Sequence, residues 1–227
     1  MKTIGLIGGM SWESTAHYYS ILNRETARLR GGLHSAPVIV HSVDFAPIEA
    51  LQRAGDWDAA GRELARIARS LAEQGAGVIG LATNTMHICA PAIEAALNVP
   101  FLHIATPTAE ALKADGIARV GLLGTRFTME KPFYKERLTA AGFEVLVPDV
   151  GVTNLNGIIY EELVKGIVRD ESRAIYVEAI SRLATRGAEA VILGCTEIGM
   201  LINDDVSPIP TYDTTELHAK ALVQAAL

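Results

Sequence analysis

Short apolar runs alternate along the chain with longer stretches in which apolar and polar residues repeat at helical spacing. The runs are IGLIGG (4–9), PVIVHSV (37–43), GVIGLA (77–82), VPFLHI (99–104), ARVGLLG (118–124), EVLVP (144–148), AVILG (190–194) and PIPTYD (208–213). Continuous apolar runs of this length predict strands covered on both faces, as in parallel sheets. Between them, DWDAAGRELARIARSLAEQG (56–75) and SRAIYVEAISRLATRG (172–187) predict helices that stop at Gly after an amide or basic residue. The alternation of strand and helix predicts an α/β fold with right-handed crossovers.

The two halves of the chain resemble each other. Segment LAEQGAGVIGLAT (71–83) aligns with LATRGAEAVILGC (183–195), so that Thr83 falls on Cys195, and GLIGG (5–9) aligns with GLLGT (121–125). The order of the matches is the same, as an internal repeat requires. We therefore expect two similar α/β subdomains with parallel sheets, related by pseudo-two-fold symmetry. The first spans 1–97 with the C-terminal segment 211–227 crossing back, and the second spans 98–210. Ligands of open α/β sheets bind outside the carboxyl ends of strands, which puts Thr83 and Cys195 at a cleft between the subdomains.

Composition narrows the function class. Hydrophobic residues at 49% and charged residues at 20% are the balance of a folded globular protein and exclude extended disorder. Lys+Arg number 20 against 26 Asp+Glu, with no basic cluster, so nucleic acid is not an expected partner. No apolar run is long enough to span a bilayer, and MKTIGLIGGMSWES lacks the apolar region of a secretory signal, which points to a cytoplasmic setting. Two cysteines, Cys89 and Cys195, make neither a disulfide framework nor a zinc site, and no metal is expected.

Local context separates those cysteines. Cys89 lies in an apolar helical pattern and reads as core. Cys195, in Gly194-Cys195-Thr196-Glu197, directly follows a buried strand and precedes an apolar segment that reads as a helix start. A thiol there meets exposed N–H groups and the positive end of a dipole, which favour its thiolate. In the first half Thr83-Asn84-Thr85-Met86-His87 holds the equivalent place, with hydroxyls and an amide able to hold a carboxylate, or with Thr83 or Asn84 capping the next helix. His87 has no carboxylate nearby in sequence and reads as structural or supporting. Gly8-Gly9-Met10-Ser11 is a turn suited to an anion, without the spacing of a nucleotide loop, and Gly124-Thr125 is its counterpart, where Thr125 caps a helix or touches ligand.

Taken together, IGLIGGMSWEST at the start, VDF at 43–45, ATNTMH at 82–87 and GCTEIG at 194–199 resemble the aspartate/glutamate racemase family over essentially the whole chain. The resemblance implies two α/β domains, no pyridoxal phosphate or metal, and a homodimer. It also implies that a cysteine from each half flanks the substrate Cα, one removing a proton and the other delivering one to the opposite face. Cys195 matches the second cysteine, whereas the first is Thr83 here, the pattern of a threonine-containing subgroup. A hydroxyl is a far weaker acid than a thiol and a poor general base without a relay. By the same resemblance, substrate carboxylates fall to the Met10 turn, Asn84, Thr85 and Thr196. The family's arginine has no clear match in FAPIEALQRAG (45–55), where Gln52 is the first candidate for its place and Arg53 the second, and an amide selects a second carboxylate less strongly. Lys165 stands near a family lysine, one helical position out of register, which turns it about 100° away.

The expected activity is racemisation of an α-amino acid, aspartate or glutamate first and neutral amino acids next. Two alternatives use the same scaffold. One is a single-cysteine decarboxylase or maleate-type isomerase, for which one thiol suffices. The other is a weakened paralogue that only binds small carboxylates.

Overall fold

The computed structural model describes residues 1–227. The first half runs β1 (Thr3–Gly8), α1 (Trp12–Arg30), β2 (Val38–Ser42), α2 (Phe45–Ala54), α3 (Trp57–Glu73), β3 (Ala76–Leu81), a 3-10 helix at Thr85–Cys89, α4 (Ala90–Glu94) and β4 (Phe101–Leu102). The second half runs α5 (Ala105–Ala114), β5 (Arg119–Gly124), α6 (Arg126–Glu130), α7 (Pro132–Ala140), β6 (Glu144–Leu146), α8 (Val152–Glu161), a 3-10 turn at Leu163–Lys165 and α9 (Asp170–Thr185). It closes with β7 (Ala190–Gly194), a 3-10 turn at Ile198–Met200, β8 (Thr211–Asp213) and α10 (Thr214–Ala226). Each expected apolar run overlaps one strand; β1 and β3 begin one residue before their runs, and the others lie within theirs.

The strands form two parallel four-stranded sheets of the same order, β2-β1-β3-β4 and β6-β5-β7-β8. The central strands are buried along almost their whole length, and edge strands β2 and β6 are partly exposed. That difference is why the central strands read as unbroken apolar runs. In the first unit, α3 covers one face with Leu64, Ile67 and Leu71, while Tyr18 and Leu22 of α1 with Leu222 and Val223 of α10 cover the other. In the second, Ile158 and Ile159 of α8 with Tyr176, Ile180 and Leu183 of α9 pack on Val191 and Leu193.

The compact units are residues 1–104 with 218–227, and 105–217. Residues 98–104 lie in the first because β4 pairs with β3, and 211–217 lie in the second because β8 pairs with β7. No helix is long and apolar enough to cross a membrane.

Candidate active site

In the second unit β7 ends at Gly194, where a Cβ would lie 2.6 Å from the Leu123 carbonyl oxygen, so only glycine lets the strands close at this point. Cys195 follows immediately and is buried. Its Sγ donates to Glu197 Oε2 at 3.0 Å, and the same oxygen accepts from Thr196 Oγ1 at 2.8 Å. Glu197 is itself buried. Burial, the Glu197 charge and the hydrogen bond donated to Glu197 raise the thiol well above its ordinary range. Backbone N–H groups of Glu197 and Thr196 pull the other way and are outweighed. The expectation of a favoured thiolate is therefore corrected. Only the short 3-10 turn Ile198–Met200 follows the cysteine, so no helix dipole acts there, and a carboxylate is the nearest strong charge.

Tyr176 completes this environment. Its hydroxyl donates to the Leu155 carbonyl at 3.0 Å, and its ring belongs to the same core cluster as Cys195. Burial, then the proximity of Cys195 and Glu197, hold the phenol neutral by raising it well above its ordinary range. Sequence reasoning gave neither Glu197 nor Tyr176 a role. A carboxylate two residues past a cysteine at a buried strand end was the available signal for Glu197, whereas Tyr176 carries no local motif.

In the first unit Thr83 stands two residues beyond β3, buried, with its N–H donating to the Leu81 carbonyl at 2.9 Å. Asn84 precedes the 3-10 helix but makes no side-chain cap bond, because it already has helical dihedrals. Asn84, Thr85 and His87 are all buried. His87 Nδ1 lies 2.7 Å from the Thr83 carbonyl, and the Ile104 N–H donates to His87 Nε2 at 3.2 Å. Cys89 is buried in the core cluster with Leu64 and Ile67, and burial, then the Asp58 charge, push its thiol up to about 11.

The strand-end turns hold the other candidates. Gly9 has φ +93° and leaves no room for a side chain against the Val43 backbone, and its N–H donates to Thr15 Oγ1 at 2.7 Å. Met10 is buried beside Met86 in one core cluster, and Gln52 Nε2 donates to Met86 Sδ at 2.9 Å. Thus Gln52 of α2 points inward, while Arg53 is exposed and pairs with Glu49 at 2.7 Å. In the second unit Thr125 caps α6 by accepting the Thr128 N–H at 3.3 Å. Lys165 is exposed in the 3-10 turn after α8 has ended at Glu161, so its direction is not set by α-helical register. No group of three His, Cys, Asp or Glu side chains is arranged to hold a metal ion.

A model of the Asp/Glu/Hydantoin racemase family matches residues 7–222. The chain belongs to this family. Among similar proteins is the broad specificity amino-acid racemase RacX of Bacillus subtilis (strain 168), 25% identical over 99% of this chain and 98% of that one. A crystal structure of a candidate Asp/Glu racemase from Yersinia pestis is 50% identical, with a TM-score of 0.93 over 100% of this chain and 99% of that one. An aspartate racemase homologue from Pyrococcus horikoshii OT3 is 34% identical, with a TM-score of 0.85 and the same coverage. Two parallel-sheet α/β halves are thus the racemase fold, and Thr83 and Cys195 each stand two residues past an equivalent register pair, Ile7 with Leu81 and Leu123 with Leu193.

Proposed function

We propose that the protein is a racemase of an α-amino acid, aspartate or glutamate first, acting as a cytoplasmic homodimer without pyridoxal phosphate or metal. The observation that carries this reading is the buried Cys195–Glu197 pair, a thiol whose proton already points at a carboxylate 3.0 Å away. Glu197 accepts that proton: the S–H bond breaks, an O–H bond forms, and the thiolate then removes the substrate Cα–H. Inversion needs a proton delivered to the opposite face of the planar carbanion. Thr83 takes that place, directly or by relaying a proton from an ordered water; solvent then reprotonates the alkoxide or hydroxide left behind, Glu197 gives its proton back to solvent, and in reverse Cys195 returns a proton as thiol.

The Met10 turn, Asn84, Thr85 and Thr125 are the groups we assign to the substrate carboxylates, with Lys165 as the cation for an acidic side chain. Thr196 contributes through Glu197, to which its hydroxyl proton is given. An inward amide at Gln52 offers no bidentate fork for a second carboxylate, which supports tolerance of neutral side chains. The breadth stated in the name of the Bacillus relative supports the same extension.

The test is incubation with separate L- and D-amino acids in D₂O after chelator and a carbonyl-trapping reagent, reading Cα deuteration and chirality. We expect deuteration with inversion, greatest for aspartate or glutamate. Absence of Cα exchange from every amino acid would overturn the racemase reading in favour of a decarboxylase, a maleate-type isomerase or a binder. Activity restored only by pyridoxal phosphate or a divalent metal would overturn its independence of cofactor.

A further inference from the structure

The His87 imidazole is held at both nitrogens. A backbone N–H can only donate, so the 3.2 Å bond from Ile104 makes Nε2 an acceptor. A carbonyl can only accept, so the 2.7 Å contact with Thr83 makes Nδ1 the protonated nitrogen. The two bonds therefore demand one tautomer. The ring is also fenced by other rings of the first unit, with centroids 4.4 Å away at His103, 5.6 Å at Phe101 and 6.1 Å at His218. It joins the Thr83 carbonyl to the backbone just beyond β4 and is fixed in plane and in direction.

The second unit has no such clip. Counted along the internal repeat, Gly199 takes the place of His87, and the Cys195 carbonyl instead accepts the Ile198 N–H at 3.1 Å. The clip is therefore not common to the two strand-to-3-10 turns. It is present only where the proton-handling side chain is a hydroxyl. A threonine acts as acid or base only through a short, well-aimed contact or relay, because its hydroxyl lacks the intrinsic acidity of a thiol.

We propose that His87 is a positioning residue for Thr83, fixing the Thr83 backbone through its Nδ1–H and with it the direction of the hydroxyl. The assignment rests on the reading of Thr83 as the second proton-handling position. It separates two readouts. Exchange of the Cα proton by Cys195 needs only the second unit's thiol and carboxylate, whereas inversion also needs Thr83 in place.

The test compares His87→Leu, which removes the donor, with His87→Asn, whose Nδ2 can take the place of Nδ1. In His87→Leu we expect inversion to fall about tenfold or more, since a shift of about 1 Å in a reacting group costs up to about 100-fold. Exchange without inversion should stay within about twofold, and His87→Asn should recover most of the inversion rate. Parallel loss of exchange and inversion in folded His87→Leu, or no recovery in His87→Asn, would overturn the assignment. If His87→Leu does not fold, His87→Asn against wild type and the ¹⁵N chemical shifts of the wild-type ring decide. Protonated Nδ1 supports the clip, and protonated Nε2 overturns it. Absence of Cα exchange in the wild-type protein would overturn the racemase reading and this assignment with it. Wild-type exchange with a parallel fall in the variant overturns this assignment alone.

Discussion

The two halves share a strand order, yet the three residues at their equivalent strand ends differ in chemistry. The second carries Cys195-Thr196-Glu197 and the first Thr83-Asn84-Thr85. Along the repeat, a thiol corresponds to a hydroxyl and a carboxylate to a hydroxyl. The second half therefore holds both the acid and a base to receive its proton, at 3.0 Å. The first half has a hydroxyl with no carboxylate beside it in the repeat, and its backbone carbonyl there is held by an imidazole. A duplicated fold supplies matched positions, and side-chain chemistry makes those positions unequal. All six histidines lie in the first unit and none in the second.

Removing the thiol is the strongest way to break this comparison. Cys195→Ala should abolish both Cα exchange and inversion, a loss of about 10³-fold or more, at the upper part of the range for general acid–base groups. Substrate-protected alkylation followed by peptide mapping should find Cys195 and not Cys89. Next, Glu197→Gln removes the proton acceptor and should cost about 100-fold in exchange. The same variant should lower the pH at which thiolate absorbance appears in folded protein, because the Glu197 charge contributes to holding the thiol up. An unchanged thiol titration would remove Glu197 from the dyad.

Giving the first half a thiol sharpens the comparison. Thr83→Cys should raise the ratio of inversion to exchange several-fold, since a second thiol then stands ready to protonate the other face. The expected effect on stability is smaller. Burial holds His218 neutral down to about pH 4, with its Nε2 donating to the Leu102 carbonyl at 2.8 Å and Nδ1 2.9 Å from the Tyr18 hydroxyl. In the unfolded chain it takes up a proton near its ordinary 6.5. The unfolded state therefore binds more protons between these values. This contribution to stability is full above pH 6.5 and is lost as pH falls towards 4, by about 3 kcal/mol. Hydrogen exchange at pH 5 should rise around residues 102 and 218 before it rises in 105–217, and His218→Gln should flatten the pH dependence of Tm. Cys89→Ala should leave activity within about twofold and cost about 1 kcal/mol of stability.

Much of the architecture was legible because buried parallel strands write themselves as unbroken apolar runs. The repeat around 71–83 and 183–195 aligns Thr83 with Cys195 from the sequence alone. What sequence could not give was the sign of the electrostatics at Cys195. The residues after it suggested a helix, whereas they form one 3-10 turn and bring the Glu197 carboxylate back onto the sulfur. Likewise, His87 meets Ile104 only because β4 lies beside β3, a contact across the sheet that local pattern does not encode. Lys165 was read in helical register, but α8 had already ended.

The central claim is that one half moves protons with a thiol and the other with a hydroxyl. The most direct test is solvent exchange of each pure enantiomer by the wild-type protein in D₂O, following deuteration by NMR and configuration by chiral chromatography. The enantiomer that presents its Cα–H to Cys195 should gain deuterium faster than it inverts, because the same thiol can remove and return a proton. The other should gain deuterium only as fast as it inverts, since every turnover ends with a proton from Cys195. The same ratio of exchange to inversion for both enantiomers would contradict the account.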